Sequence, residues 1–139
     1  MKVQHLDHVA IAVRDVAASR DWYIRVLGLE RRFEDEWGDV PTMVCAGETC
    51  VALFPAASVD ASAHPEESPA AGTSRRTPER DTIAMRHFAF RVDRENFAAA
   101  QSRFRELGIA FESADHGIAL SVYISDPDGH RIEITTYEV

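Results

Sequence analysis

Hydrophobic and polar positions along this chain follow two periods, one of two residues and one near 3.6, and their succession sets out the elements. Residues 5–13 alternate as a strand does, with Val9, Ile11 and Val13 pointing one way and Leu6, His8, Ala10 and Ala12 the other. Asp15 offers a helix N-cap, Val16, Tyr23, Val26 and Leu27 form an apolar stripe, and Gly28 supplies a left-handed stop. Three short strands are predicted next, near residues 30–37, 42–46 and 49–54, with Gly38 and Gly47 marking the turns. The stretch 56–82 is rich in Ala, Ser, Glu and Arg and carries no apolar period. It reads as a long flexible connection, since structureless segments beyond ~12–15 residues are usually lids or linkers.

The pattern then returns. Residues 85–92 alternate again, with Phe88, Phe90 and Val92 on one face and His87, Ala89 and Arg91 on the other. Asp93 caps a second helix striped by Phe97, Ala100, Phe104 and Leu107 and closed by Gly108. A strand near 109–113 and a hairpin of 118–125 with 131–137 complete the half, turning at Asp126-Pro127-Asp128-Gly129. His8 aligns with His87 and Leu27-Gly28-Leu29 with Leu107-Gly108-Ile109, an offset of 79 to 80. The chain is therefore two copies of β-α-β-β-β, module 1 over about 4–55 and module 2 over about 83–139, in one domain spanning 1–139.

Composition narrows the function. Hydrophobic residues make up 45% and charged residues 27% of 139, the balance of a soluble globular chain. A net charge of −8 argues against nucleic acid and anionic membrane surfaces as partners. No apolar run reaches the ~18 residues of a membrane span. The first residues lack a signal-peptide apolar region, so a cytoplasmic location is expected. Cys45 and Cys50 can face each other across a tight hairpin, but two cysteines make no disulfide framework, and reduced, packed thiols are expected.

The candidate chemistry lies where the repeats match. On the final strand Arg131, Glu133, Thr135 and Tyr137 share a face, which puts a carboxylate mid-strand between isoleucines, where it needs a partner if buried. A five-residue loop at 126–130 sets Tyr123 opposite Glu133 and Ser121 opposite Thr135. In each half the first strand sets small residues (Ala10, Ala12, Ala89) beside a histidine on the face away from the helix. Paired by a pseudo-two-fold, His8 and His87 would converge with Glu133 as two imidazoles and one carboxylate. That set suits a divalent ion such as Fe, Mn, Zn, Ni or Co with positions left open. Eighty residues before Glu133 stands Leu53, so no fourth ligand is expected from module 1, and Glu48 has the wrong parity. His116, before the hairpin, is a turn residue that could reach the cleft as an acid or base. His5 and His130 have the opposite parity to the proposed ligands, and His64 lies in the connection.

The segments H-L-D-H-V-A-I-A-V-R-D, W-Y-x-x-V-L-G-L, M-R-H-F-A-F-R-V and Y-I-S-D-P-D-G-H-R-I-E together resemble the glyoxalase, bleomycin-resistance and extradiol-dioxygenase superfamily, the vicinal oxygen chelate fold, over nearly the whole chain. The resemblance implies an α+β fold in which two βαβββ modules form an open, curled, eight-stranded mixed sheet with helices on the outside. It implies metal ligands at His8, His87 and Glu133 and a small-molecule substrate; strand edges that a partner can cover and the long 56–82 connection lead to the expectation of a homodimer. Tyr123, ten residues before Glu133, has the spacing of a tyrosine in the ring-cleaving dioxygenases, so a small catechol dioxygenase is the expected relative, with Tyr123 and His116 as the chemical groups. Fosfomycin-type thiol transferases, glyoxalase- or epimerase-like lyases and isomerases, and metal-free bleomycin-binding proteins are the alternatives.

Overall fold

A computed structural model describes residues 1–56 and 85–139; nearly all of the 56–82 connection, His64 included, lies outside them. Module 1 runs β1 (His8–Val13), α1 (Val16–Leu27), β2 (Glu30–Arg32), α2 (Glu34–Trp37), β3 (Thr42–Ala46) and β4 (Thr49–Pro55). Module 2 runs β5 (Phe88–Arg91), α3 (Arg94–Glu106), β6 (Glu112–Asp115), β7 (Leu120–Ser125) and β8 (Arg131–Thr136). Each module is one four-stranded mixed sheet, ordered β1-β4-β3-β2 and β5-β8-β7-β6, with β1 on β4 and β5 on β8 parallel and the other pairs antiparallel. The expected βαβββ repeat is present, and its eight strands are divided four and four. Among the described residues no helix is long and apolar enough to cross a membrane.

The helix ends form where the sequence signals them. The Asp15 carboxylate accepts from the Ala18 N–H at 2.9 Å and that of Asp93 from the Asn96 N–H at 2.7 Å, each cap worth about 1 kcal/mol. Gly28, at φ 68°, turns its N–H back to the Ile24 carbonyl, a conformation a Cβ would strain. Two strands differ from expectation. Residues 30–37 do not form one strand: Phe33 adopts φ 62° and Glu34, Asp35 and Glu36 open a single helical turn that favours acidic residues at its start. β6 begins at Glu112 rather than Ile109, because the Ile109 N–H bonds back to the Phe104 carbonyl and keeps the chain on the helix end.

One core joins the halves. Ile11, Val13, Leu53, Val122, Ile132 and Ile134 present the helix-side faces of both sheets to Tyr23, Val26, Phe97 and Phe104 of α1 and α3. The turn at 126–129 fastens module 2 to module 1. Tyr23 Oη donates to Asp126 Oδ2 at 2.9 Å, Arg14 Nε to Asp128 Oδ1 at 2.6 Å, and His130 Nε2 lies 2.9 Å from the Ala12 carbonyl. Burial, then the Asp126 charge, pushes the Tyr23 phenol far up. Desolvation opposes ionisation of Asp128, yet hydrogen bonds from the Arg14 side chain and backbone hold its carboxyl below the ordinary value.

The opposite, concave face of the first sheet carries a small second cluster of Met43, Cys45, Cys50 and Ala52, with Phe54 against it. Here the expectation of reduced thiols is corrected. Cys45 and Cys50 are register partners on the β3–β4 hairpin and form a disulfide. A two-residue hairpin loop puts both side chains on one face, directly opposed.

Candidate functional site

The second sheet builds its site from one row of side chains. Register sets Glu112, Tyr123, Glu133 and Ala89 side by side across β6, β7, β8 and β5. The expected pairs Tyr123–Glu133 and Ser121–Thr135 are both present. Glu133 keeps only 8% exposure, and both its oxygens are engaged. Ser121 Oγ donates to Oε1 at 2.5 Å, and His87 Nε2 lies 2.9 Å from Oε2. His87 stands just before β5, beside the small Ala89, which leaves its imidazole room to reach β8.

Around this pair lies a cavity of about 750 Å³ lined by Arg86, His87, Ala114, His116, Tyr123 and Arg131. The Tyr123 ring meets the His87 ring edge-on at 5.6 Å, and the Arg131 guanidinium stacks over it at 4.6 Å. Partial burial, then the Glu133 carboxylate, raises the Tyr123 phenol above its ordinary value, so at neutral pH it is a protonated donor. His116 Nε2 stands 3.3 Å from the Tyr123 hydroxyl, while its backbone N–H closes a turn onto the Ala119 carbonyl. His116 is thus both a turn residue and a cavity residue.

His8 lies elsewhere. Its side chain is 47% exposed, its Nδ1 contacts Asp7 Oδ2 at 2.6 Å, and it lines a separate cavity of about 420 Å³ with Trp37, Pro41, Met43, Ala52 and Phe54. Among the described residues no three His, Cys, Asp or Glu side chains gather within one chain as a metal set. His87 and Glu133 are together and His8 is apart.

The donor chemistry fits a divalent ion. Two bonds of ~2.1 Å at right angles hold their donor atoms about 3 Å apart, which is the separation of His87 Nε2 and Glu133 Oε2. Ser121, on the other carboxylate oxygen, fixes the orientation of Glu133 as partners of metal ligands do.

The fourth-position residue is corrected. Ala10 pairs with Ala52 as Ala89 pairs with Glu133, so the counterpart of Glu133 is Ala52. Leu53 is fully buried in the helix-side core. Tyr123 and its partner Glu133 are ten residues apart where Met43 and Ala52 are nine, and one residue of slip reverses a strand's faces. Sequence reading also missed Tyr23, taken only as part of an apolar stripe. A phenol 103 residues from its carboxylate leaves no local signal.

A family model described as the Glyoxalase/Bleomycin resistance protein/Dioxygenase superfamily matches residues 5–134. The catechol-2,3-dioxygenase of Bacillus subtilis is 27% identical over 132 residues, covering 94% of this chain but 40% of that protein. This chain thus spans less than half of that relative. The lactoylglutathione lyase of Pseudomonas aeruginosa is 31% identical over 144 residues, covering 92% of this chain and 80% of that one. A solved glyoxalase/dioxygenase from Nostoc punctiforme superposes with a TM-score of 0.70 at 28% identity, covering 96% of this chain and 91% of the other.

Proposed function

The chain belongs to the glyoxalase/bleomycin resistance protein/dioxygenase superfamily, and from that premise we propose that it is a metal-dependent, extradiol-type dioxygenase acting on a small catechol-like substrate. The observation that carries this reading is the 2.9 Å contact between Glu133 and His87, which lines an open cavity together with Tyr123 and His116. Glu133 and His87 would hold a divalent ion, with His8 as the third ligand from a partner subunit. Such an ion supplies a Lewis acid and a template for two vicinal oxygens.

Tyr123, kept protonated, donates to a substrate oxygen as negative charge develops there. His116, 3.3 Å away, takes or returns the proton. The row that contains Glu133 has no carboxylate counterpart in module 1, where Ala52 stands, which leaves more open positions than a four-ligand lyase or isomerase would.

Two facts support a site completed across a homodimer. His8 and His87 line different cavities. Among the described residues both β1 and β5, the strands that begin at or beside these histidines, are sheet edges, and such edges can be covered by a partner chain.

Metal analysis followed by an anaerobic-to-aerobic catechol assay tests the reaction, and metal-replete protein that leaves catechol uncleaved would overturn it. The assembly is tested by mixing His8→Ala with Glu133→Ala chains after partial denaturation. Random pairing makes half the dimers mixed, each with one intact site, so about a quarter of the wild-type metal content should return. A site built within one chain would regain none.

A further inference from the structure

We propose that the substrate carries a carboxylate arm in addition to its vicinal oxygens, and that Arg86 is the residue that binds it. The inference rests on the catechol-type reading of the same cavity. The whole chain carries a net charge of −8, yet this cavity is lined by two arginines and no carboxylate. The two arginines are not alike. Arg131 is committed: its Nη2 bonds Glu112 Oε2 at 2.6 Å and its guanidinium lies on the Tyr123 ring. Arg86 is exposed, adjoins His87 in sequence, and makes no hydrogen bond or ion pair with any described residue. A cation lining a cavity, with none of its five donors bonded to a described residue, fits a planar carboxylate through two parallel N–H···O bonds.

Size points the same way. About 750 Å³ falls in the ~300–1,000 Å³ range of pockets that hold drug-sized ligands, and it exceeds what a bare benzenediol fills. An aromatic ring with its vicinal oxygens toward His87 and Glu133 leaves room for a substituent, and Arg86 lies on the rim that substituent would reach.

The test compares protocatechuate, a catechol bearing a ring carboxylate, with its neutral carboxamide. Binding is measured by calorimetry on manganese-loaded wild-type and Arg86→Gln protein under nitrogen. The wild type should bind the acid ~10–100-fold more tightly than the amide, the scale of a charge-assisted hydrogen-bond pair. In Arg86→Gln that ratio should collapse toward one. Equal affinity of acid and amide in the wild type would overturn the carboxylate arm and leave the catechol reading standing. A preference for the acid that survives Arg86→Gln would overturn the assignment to Arg86. If neither ligand binds metal-loaded wild type, the catechol reading fails and this inference with it.

Discussion

The two sheets share one topology and present opposite chemistry on their concave faces. Across module 1 one row reads Arg32, Met43, Ala52, Ala10; across module 2 the matching row reads Glu112, Tyr123, Glu133, Ala89. The same backbone thus makes a wall of Met43, Ala52, Phe54 and a disulfide in one half, and a wall of hydroxyls, an imidazole and a carboxylate in the other. A histidine at or just before the first strand and the alanine two residues after it recur in both. Under the proposed function the difference is a division of labour: the second wall would hold the reacting groups, while the first would offer an apolar surface and a single donor. Brought face to face, they would make one site that neither contains alone.

The comparison breaks most sharply at the histidines. If both walls serve one ion, His87→Ala and His8→Ala should each cost more than ~100-fold in metal affinity, beyond the 10–100-fold typical of groups that only support a ligand. Metal titration monitored by competition with a chelator decides it. A His8→Ala chain that binds metal as tightly as wild type would remove the first wall from the site. Tyr123→Phe comes next. It should lower catechol turnover by ~10²–10⁴ with metal content unchanged, and wild-type turnover in that variant would strip the second wall of its chemical distinction.

Face assignment in the first wall gives the third test. Leu53→Glu would bury a carboxylate in the shared core and should destabilise by several kcal/mol. Ala52→Glu, at the wall of the cavity beside His8, should cost clearly less stability than Leu53→Glu, with metal held more tightly and turnover reduced. Urea melts of the two variants should separate by more than ~2 kcal/mol.

The smallest effect contrasts the two tyrosines. Tyr23→Phe should cost ~1–3 kcal/mol by leaving Asp126 Oδ2 without its donor, with metal affinity unaltered. The folded-state value of Tyr23 is raised, so its contribution is complete below the ordinary tyrosine value near ~10 and is lost as pH rises beyond it. Melts of the wild type should weaken over that alkaline range, and those of Tyr23→Phe should weaken less.

Much of this was legible in the sequence because it is local. Asp15, Asp93 and Gly28 mark helix ends through contacts within a turn, and alternation with a five-residue loop sets Tyr123 against Glu133. What failed was whatever depended on a count carried over distance. Projecting Glu133 back by a constant offset gave Leu53, although the register advances from 79 residues at β1 and β5 to 81 at β4 and β8. The cysteines were judged by how rarely two such residues form a framework, while a two-residue hairpin loop brings them together regardless. How His8 would meet His87 depends on how modules and chains assemble, which periodicity does not encode.

The turn at 126–129 carries the most recognisable letters in the chain, and its aspartates grip Tyr23 and Arg14 of the other module. A signature written as D-P-D-G-x-x-x-E therefore merges two messages: a fastener that holds the two modules together, and a carboxylate that, on the proposed function, would hold the ion. Mutation can erase the second and spare the first. A descendant that did so would keep its shape and its cavity, and it would be recognised by the same letters while having become a carrier instead of an enzyme.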